Sequence, residues 1–474
     1  MTSFSVLDWV VVAGFMFASL IIGVLARQRV SGLDDFLVAG RKLRSFWGVA
    51  TLASTEMGLV TIIYFSEEAY LNGFVAIIAG VIAGLTMWAV GRSGFIVERL
   101  RSLELRTVPE YFALRFTPGV RRIAALLTFL TGILNLGIFL QVEGRFLVIV
   151  TGLPEDALPL IMGVLLVFVV SYTMLGGMYS VVITDVFQFV LILGGIVITS
   201  WFAFSHAGGI GGMAGAVSSR MGSAGFNLWE APKYGLMFLL WTALYYTSGW
   251  TGWQPVVQRT LSMKDSATAL KLYRISSLFM FFRACMPMLW GIAALAVLGI
   301  VNEPQTALPQ LLTSVIPTGL IGLTLLGFLA ASMSTYDSYL LSFSSIFVQD
   351  IWAPLQGREI SGRERMRYIR VAILVIAVVI YVWGIFFTFT DTVFRLIVLT
   401  GSLSYAGILC GLVGGLYWKR ATTRGAYFAF AASAVPPLAA LIWPEIGTTT
   451  AGLLSFLLSP LALVAGSLLF SKSR

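Results

Sequence analysis

Apolar runs of roughly 18 or more residues recur from one end of the chain to the other, and a run of that length can cross a bilayer as a helix. The runs predict thirteen spans, at roughly 6–26, 46–66, 72–94, 122–148, 156–174, 180–201, 234–255, 276–300, 318–347, 369–389, 394–418, 424–443 and 450–470. Barrel strands would give short alternating segments instead. The pattern therefore predicts an all-α polytopic membrane protein, with 1–474 forming one membrane domain.

In two spans the apolar pattern is interrupted. Span 46–66 contains "GVATLASTEMGLV", with Gly48, Gly58 and a polar centre at Ser54, Thr55 and Glu56. Span 234–255 ends in "YYTSGWTGWQP", with Gly249, Gly252 and Pro255. Unwound backbone at membrane depth persists only where it is buried in protein or lines a cavity. These are the second and seventh spans. Each opens one half if the chain holds two five-helix repeats, 46–201 and 234–418, with 6–26 an extra N-terminal helix and 424–470 two C-terminal ones. The odd spacing inverts the second repeat in the membrane. Interrupted helices at matching positions of inverted repeats mark a transporter's binding site, although Gly and Pro are frequent in membrane helices generally.

Charge adds orientation. Only 11% of the 474 residues are charged, against about 25% in soluble domains. Clusters of Lys and Arg follow the first, third, seventh, ninth, eleventh and last spans, Arg259, Lys264, Lys271 and Arg274 among them, while the opposite loops hold only Arg220 and Lys233. By the positive-inside rule the N-terminus is outside and the C-terminus cytoplasmic, in the cell (inner) membrane. The net charge of +9 thus reports topology, and nucleic acid is not needed to explain it. Asp8 precedes the first span and arginines follow it, the reverse of a signal peptide, so this helix is expected to be retained. The loop 92–121 reads as a basic surface segment, with a short interfacial helix the alternative. Cys285 and Cys410 each lie inside an apolar span and read as buried small residues. The single histidine, His206, excludes a multi-histidine metal site or relay. Nothing pairs a nucleophile with a base, so an enzyme is not expected.

Charge inside a span is costly and points to function. The candidates are Glu56, Glu143, Arg145, Asp185, Arg283, Asp337 and Arg395. Arg283 and Arg395 read as snorkelling or structurally paired, Arg395 with Asp391. Glu143 and Arg145 are two apart and do not face each other, so Glu143 needs a partner elsewhere or a proton. The stretch "GFLAASMSTYDSYLLSFSSIFVQD" (327–350) adds a row of hydroxyls. Ala331, Ser334, Thr335, Ser338, Ser342 and Ser345 share one helical stripe, bordered by Asp337. A small hard cation takes such oxygen ligands, together with carbonyls freed at a helix break. The alternative is hydroxyls bonding their own helix or a neighbour.

Five further segments share a resemblance. They are "LDDFLVAGRKL" (33–43), "TVPEYFALRF" (107–116), "GGMYSVVITDVFQ" (176–188), "QPVVQRTLSMKD" (254–265) and "GGLYWKRATTRGA" (414–426). In this order they resemble the sodium/solute symporters, which carry sugars, proline, pantothenate, sialic acid and short carboxylates. The resemblance implies a leucine-transporter-type fold with 46–66 as core helix one. It implies a Na⁺ site formed by the carbonyls of Ser54, Met57 and Ala331 with the hydroxyls of Ser334 and Thr335. It also implies a candidate second cation site at Asp185, Asp337 and Ser338, with Ser334 shared. Glu56 stands where proline permeases have aspartate, and the asparagine that binds sugar is missing near Trp253-Gln254-Pro255, which disfavours a sugar.

The reading is a Na⁺-coupled symporter for a small organic solute, a zwitterion or amino acid such as proline. The candidate solute contacts are Glu56, Glu143, Thr247, Trp250, Thr251 and Gln254. Its partners are the solute and the lipid bilayer, with no obligate protein partner expected. The alternatives are H⁺ coupling through Glu56, a solute sensor working with a separate partner, and a channel or passive carrier.

Overall fold

The computed structural model describes residues 4–387 and 392–470. Asp391, the expected partner of Arg395, lies outside these residues; Arg395 donates to the carbonyls of Ala440 and Pro444, each at 3.1 Å. The described residues form helices joined by short connections, and their only bridge pairing is Leu43 with Met263.

The principal helices are α1 (Val6–Ala26), α2 (Ser45–Glu56), α3 (Leu59–Asn72), α4 (Ile78–Ser93), α5 (Pro118–Thr151), α6 (Leu158–His206), α7 (Leu236–Gly252), α8 (Gln254–Ser262), α9 (Ser266–Leu298), α10 (Leu320–Ile346), α11 (Gly362–Phe386), α12 (Val393–Tyr417), α13 (Thr423–Ile442) and α14 (Thr448–Leu469). Among the described residues, ten helical stretches are long and apolar enough to cross a membrane, against thirteen expected spans. The differences have physical causes. Leu59–Ser93 joins the second half of the first interrupted span to the span after it, while α2, the first half, stands apart. Residues 236–252 are 17 in number, because the second interrupted helix ends at its break. Helix α6 carries two expected spans in one 49-residue run, about 73 Å long at 1.5 Å per residue, more than twice the bilayer core. The run turns at Gly177, whose φ of 51° lies in the left-handed region. A Cβ there would meet the Phe36 carbonyl oxygen at 2.5 Å, so glycine is required both for the turn and for the approach of the preceding loop.

The breaks are short. In the first, Met57 (ψ 36°) and Gly58 (ψ 150°) leave helical geometry between α2 and α3. In the second, Trp253 (ψ 119°) separates α7 from α8, and Pro255 occupies the first turn of α8, where its missing N–H costs no hydrogen bond. The chain continues as helix to Ser262, so residues 256–262 belong to the interrupted helix and not to the following loop.

The basic segments gather at one end. Arg106 bonds Asp34 at 2.6 Å, Arg99 bonds the Leu416 carbonyl at 2.6 Å, and Arg101 bonds the Met263 carbonyl at 2.7 Å. Four of the loops whose charge alternates in the sequence therefore touch one another at what is called here the basic end. Helix α10 lies inside the bundle, with every residue from Thr324 to Ile346 buried. Its hydroxyls meet protein and not lipid, which is why a membrane helix tolerates them.

Candidate functional site

The first break and the middle of α10 face each other. A helix end leaves its last carbonyls without intrahelical partners, and at the end of α2 the hydroxyls of α10 take that place. Ser334 Oγ donates to Ser54 O at 2.8 Å and lies 3.0 Å from Ala331 O. Thr335 Oγ1 donates to Thr55 O at 2.8 Å and lies 3.1 Å from Ala331 O. All of these residues are at most 2% exposed. A Cβ on Gly58 would sit 2.5 Å from Thr335 Oγ1, so glycine permits the approach. The structure thus brings Ser54, Ala331, Ser334 and Thr335 together, with Met57 at the break beside them. The donor set is hydroxyl and carbonyl oxygen, which suits a hard monovalent cation.

The candidate second cation site has a tenant of its own. Arg259 was placed in a basic loop by the sequence pattern; in the structure it is wholly buried in α8. Its Nη2 donates to Thr55 Oγ1 at 2.8 Å and to Ser338 Oγ, and it pairs with Asp185 at 3.5 Å. Its Nε donates to Thr51 Oγ1 at 3.3 Å, and Thr51 in turn donates to Asp185. Asp337 accepts from Tyr172 at 2.9 Å and from Ser338 at 3.0 Å. Asp185, Asp337 and Ser338 do converge, but with a guanidinium among them.

The solute candidates divide. A narrow cleft beside the two breaks has a volume of about 80 Å³. Glu56 and Trp250 line it, as do Arg283 and many aromatic rings, Trp241, Tyr245, Trp253 and Tyr405 among them. Arg283 Nη2 lies 3.5 Å from Glu56 Oε2, and its Nε donates to the Glu56 carbonyl freed by the break. It also reaches Thr61 at 3.4 Å and Tyr64 at 3.5 Å. Three polar atoms of cleft-lining residues have no hydrogen-bond partner among the described residues: Glu56 Oε1, Trp241 Nε1 and Thr242 Oγ1.

Four candidates are not brought to the cleft. Gln254 is wholly buried and holds the basic-end loop, accepting from Val108 N at 2.8 Å and donating to Arg106 O at 3.2 Å. Thr251 bonds the Thr247 carbonyl at 2.8 Å, along its own helix. Glu143 accepts from Val60 N at 2.9 Å and from Ser332, so it caps the first turn of α3. Its near neighbour Arg145 pairs with Glu303 at 3.4 Å on the exposed surface, as the two-residue offset required.

The sequence pattern of the Sodium:solute symporter family matches residues 36–432. The chain belongs to that family. It is 27% identical over 459 residues to a sodium/glucose cotransporter of Vibrio parahaemolyticus, covering 88% of this chain and 82% of that one. It is 25% identical over 472 residues to the high-affinity proline transporter PutP of Bacillus subtilis (strain 168), covering 95% and 94%. A solved Na⁺-coupled sialic acid symporter, substrate-bound and outward-open, superposes with a TM-score of 0.85 at 20% identity over the whole of both chains. That likeness shows the fold, which is the leucine-transporter type. Like its relatives, this family member is a membrane-embedded transporter of small-molecule solutes and not an enzyme.

Proposed function

We propose that this symporter couples inward Na⁺ flow to uptake of a small zwitterion of the amino-acid class. The observation that carries the reading is the cleft. Among the described residues its one acid and one base, Glu56 and Arg283, stand 3.5 Å apart amid aromatic rings, and one oxygen of the acid has no hydrogen-bond partner. An ammonium N–H matches Glu56 Oε1, a carboxylate matches Arg283, and the rings receive an apolar body. Relatives that are proline transporters agree with this class.

Na⁺ would bind where Ser54, Ala331, Ser334 and Thr335 converge beside Met57 at the break, and no second cation is needed for the reading. Glu56 belongs to the same break, between the Thr55 carbonyl and Gly58. Ion and solute therefore act on one segment, the physical requirement for coupling between two ligands. An H⁺-coupled reading would put the proton on Glu56, which stands 3.5 Å from Arg283.

The test is uptake into proteoliposomes from a panel of amino acids, sugars and carboxylates, under imposed Na⁺ or H⁺ gradients. Amino-acid uptake driven by Na⁺ is expected. In the Ser334→Ala/Thr335→Ala variant, half-maximal uptake should need at least about tenfold more Na⁺, since each contact to a charge contributes about 1.5–3 kcal/mol. Sugar uptake alone, or an unchanged Na⁺ requirement in the variant, contradicts the reading.

A further inference from the structure

Away from the cleft, α5, the turn that follows α10, and α11 frame a groove of about 550 Å³ with an almost wholly apolar lining. It opens on the outer surface of the bundle: Val371 and Val375 are each 56% exposed and Val379 is 45% exposed. After Ile346 the chain widens into a π-helical turn, Phe347–Trp352, and the rings of Phe347 and Trp352 form part of the wall. Along α11 the lining runs from Tyr368 to Val379, about 16 Å at 1.5 Å per residue, which suits a long acyl chain.

The groove has a polar end. Trp352 and Tyr368 mark it, 6.2 Å apart between ring centroids, the residue types that sit at headgroup level. Towards the basic end, each flanking helix then presents an exposed arginine. Arg122 lies seven residues before Phe129, two turns along the same face of α5. Arg367 lies four residues before Val371, one turn along the edge of the groove face of α11. Several other charges nearby are engaged. Arg121 pairs with Asp350 at 2.7 Å, and Arg365 bonds Gln349 at 2.6 Å. Glu364, the acid on this face, accepts both Arg358 and Tyr368. The rim is therefore net positive, above an apolar slot.

We propose that this groove is a binding site for an anionic phospholipid, with one acyl chain along α11 and the phosphate headgroup held by Arg122 and Arg367. Any lipid-facing surface touches acyl chains. The two arginines distinguish this groove by selecting the headgroup, since a basic pocket between membrane helices favours an anionic one. The site is separate from the solute cleft and does not depend on which solute is carried.

The experiment is native mass spectrometry of the full-length protein. It is purified in detergent and mixed with phosphatidylglycerol or phosphatidylcholine of identical chains. One phosphatidylglycerol should be retained preferentially, and the preference should fall by about fivefold for each arginine replaced in Arg122→Gln and Arg367→Gln. A second variant, Val375→Trp, fills the slot and should release the lipid while leaving both arginines in place. Unchanged melting temperatures show that the variants are folded; a variant that unfolds is replaced by Arg122→Lys/Arg367→Lys, which keeps the charge and should keep the preference. Equal retention of the two lipids by the parent protein overturns the proposal. So does an unaltered preference in the folded double-glutamine variant.

Discussion

Two acid–arginine pairs lie inside this bundle at the same separation, Glu56–Arg283 and Asp185–Arg259, each at 3.5 Å. In both, one carboxylate oxygen has no hydrogen-bond partner among the described residues. Their surroundings differ. Both members of the Asp185 pair are wholly buried, and the guanidinium spreads its donors over Thr51, Thr55 and Ser338, so it stitches α2, α6, α8 and α10 together. The Glu56 pair borders an aromatic cleft, with Arg283 reaching only weak partners at 3.4–3.5 Å beyond the break carbonyl. An enclosed pair surrounded by hydroxyls is architecture; a pair at the wall of a cleft is an opportunity for a ligand.

Breaking the sealed pair should have the largest effect. Arg259→Met leaves Asp185 buried and uncompensated, a loss of about 3–5 kcal/mol of stability. Thermal unfolding in detergent should show a large drop in melting temperature, part of which Asp185→Asn restores in the double variant. A single variant that melts like the parent would place Arg259 outside the scaffold. At the open pair, Glu56→Gln should weaken solute binding by about tenfold or more, from loss of a charged hydrogen bond. Na⁺ should still raise its melting temperature, and if that response disappears instead, Glu56 serves the ion and not the solute.

Smaller effects sharpen the boundary between the two regions. Gln254 touches backbone and not the cleft, so Gln254→Ala should lower stability by about 1–2 kcal/mol yet leave the solute concentration for half-maximal uptake unchanged. A shifted solute dependence would return Gln254 to the binding site. A third acid–arginine contact, at the surface, sets the lower limit. Partial burial pushes the Asp34 carboxyl up, but hydrogen bonds and charge from Arg106 and Arg41 outweigh it and hold the group below the usual carboxylate range. Its stabilisation is complete above that range and is lost as pH falls through the lowered value. With its side chain 42% exposed, it is screened by water and contributes less than about 1 kcal/mol. Asp34→Asn should slightly flatten the acid limb of the melting-temperature profile, and a change confined to neutral pH would refute this.

The two regions also differed in how much the sequence disclosed. The first break was legible because Ser54, Thr55 and Glu56 interrupt an apolar run, and the hydroxyl stripe of α10 because its period matches a helix. The second interrupted helix was only half legible. "QPVVQRTLS" is too polar to score as membrane helix, so Arg259 read as one more cation of a basic loop. Its polarity is cancelled by Thr51, Thr55, Asp185 and Ser338, contributed by three other helices, and a window of neighbouring residues cannot register that. Arg283 was seen but unplaced, because its partner Glu56 lies 227 residues away. Glu143 looked like a ligand group for the opposite reason: its acid was visible, while the Val60 N–H it satisfies is backbone, which every residue has.

The contact between α10 and the first break has a further consequence. Ser334 and Thr335 donate to the carbonyls of Ser54 and Thr55, the first of which the proposed cation site would also use. In the proposed site the ligands therefore bond to one another without an ion, and Na⁺ would enter as the two hydroxyls turn, keeping their protons but giving up their hydrogen bonds to the carbonyls. Giving up those bonds would make occupancy weaker than the ligand count implies, and departure correspondingly quick. For a device that must let its passenger go on every cycle, a site that heals itself by turning two hydroxyls is better suited than a tighter one.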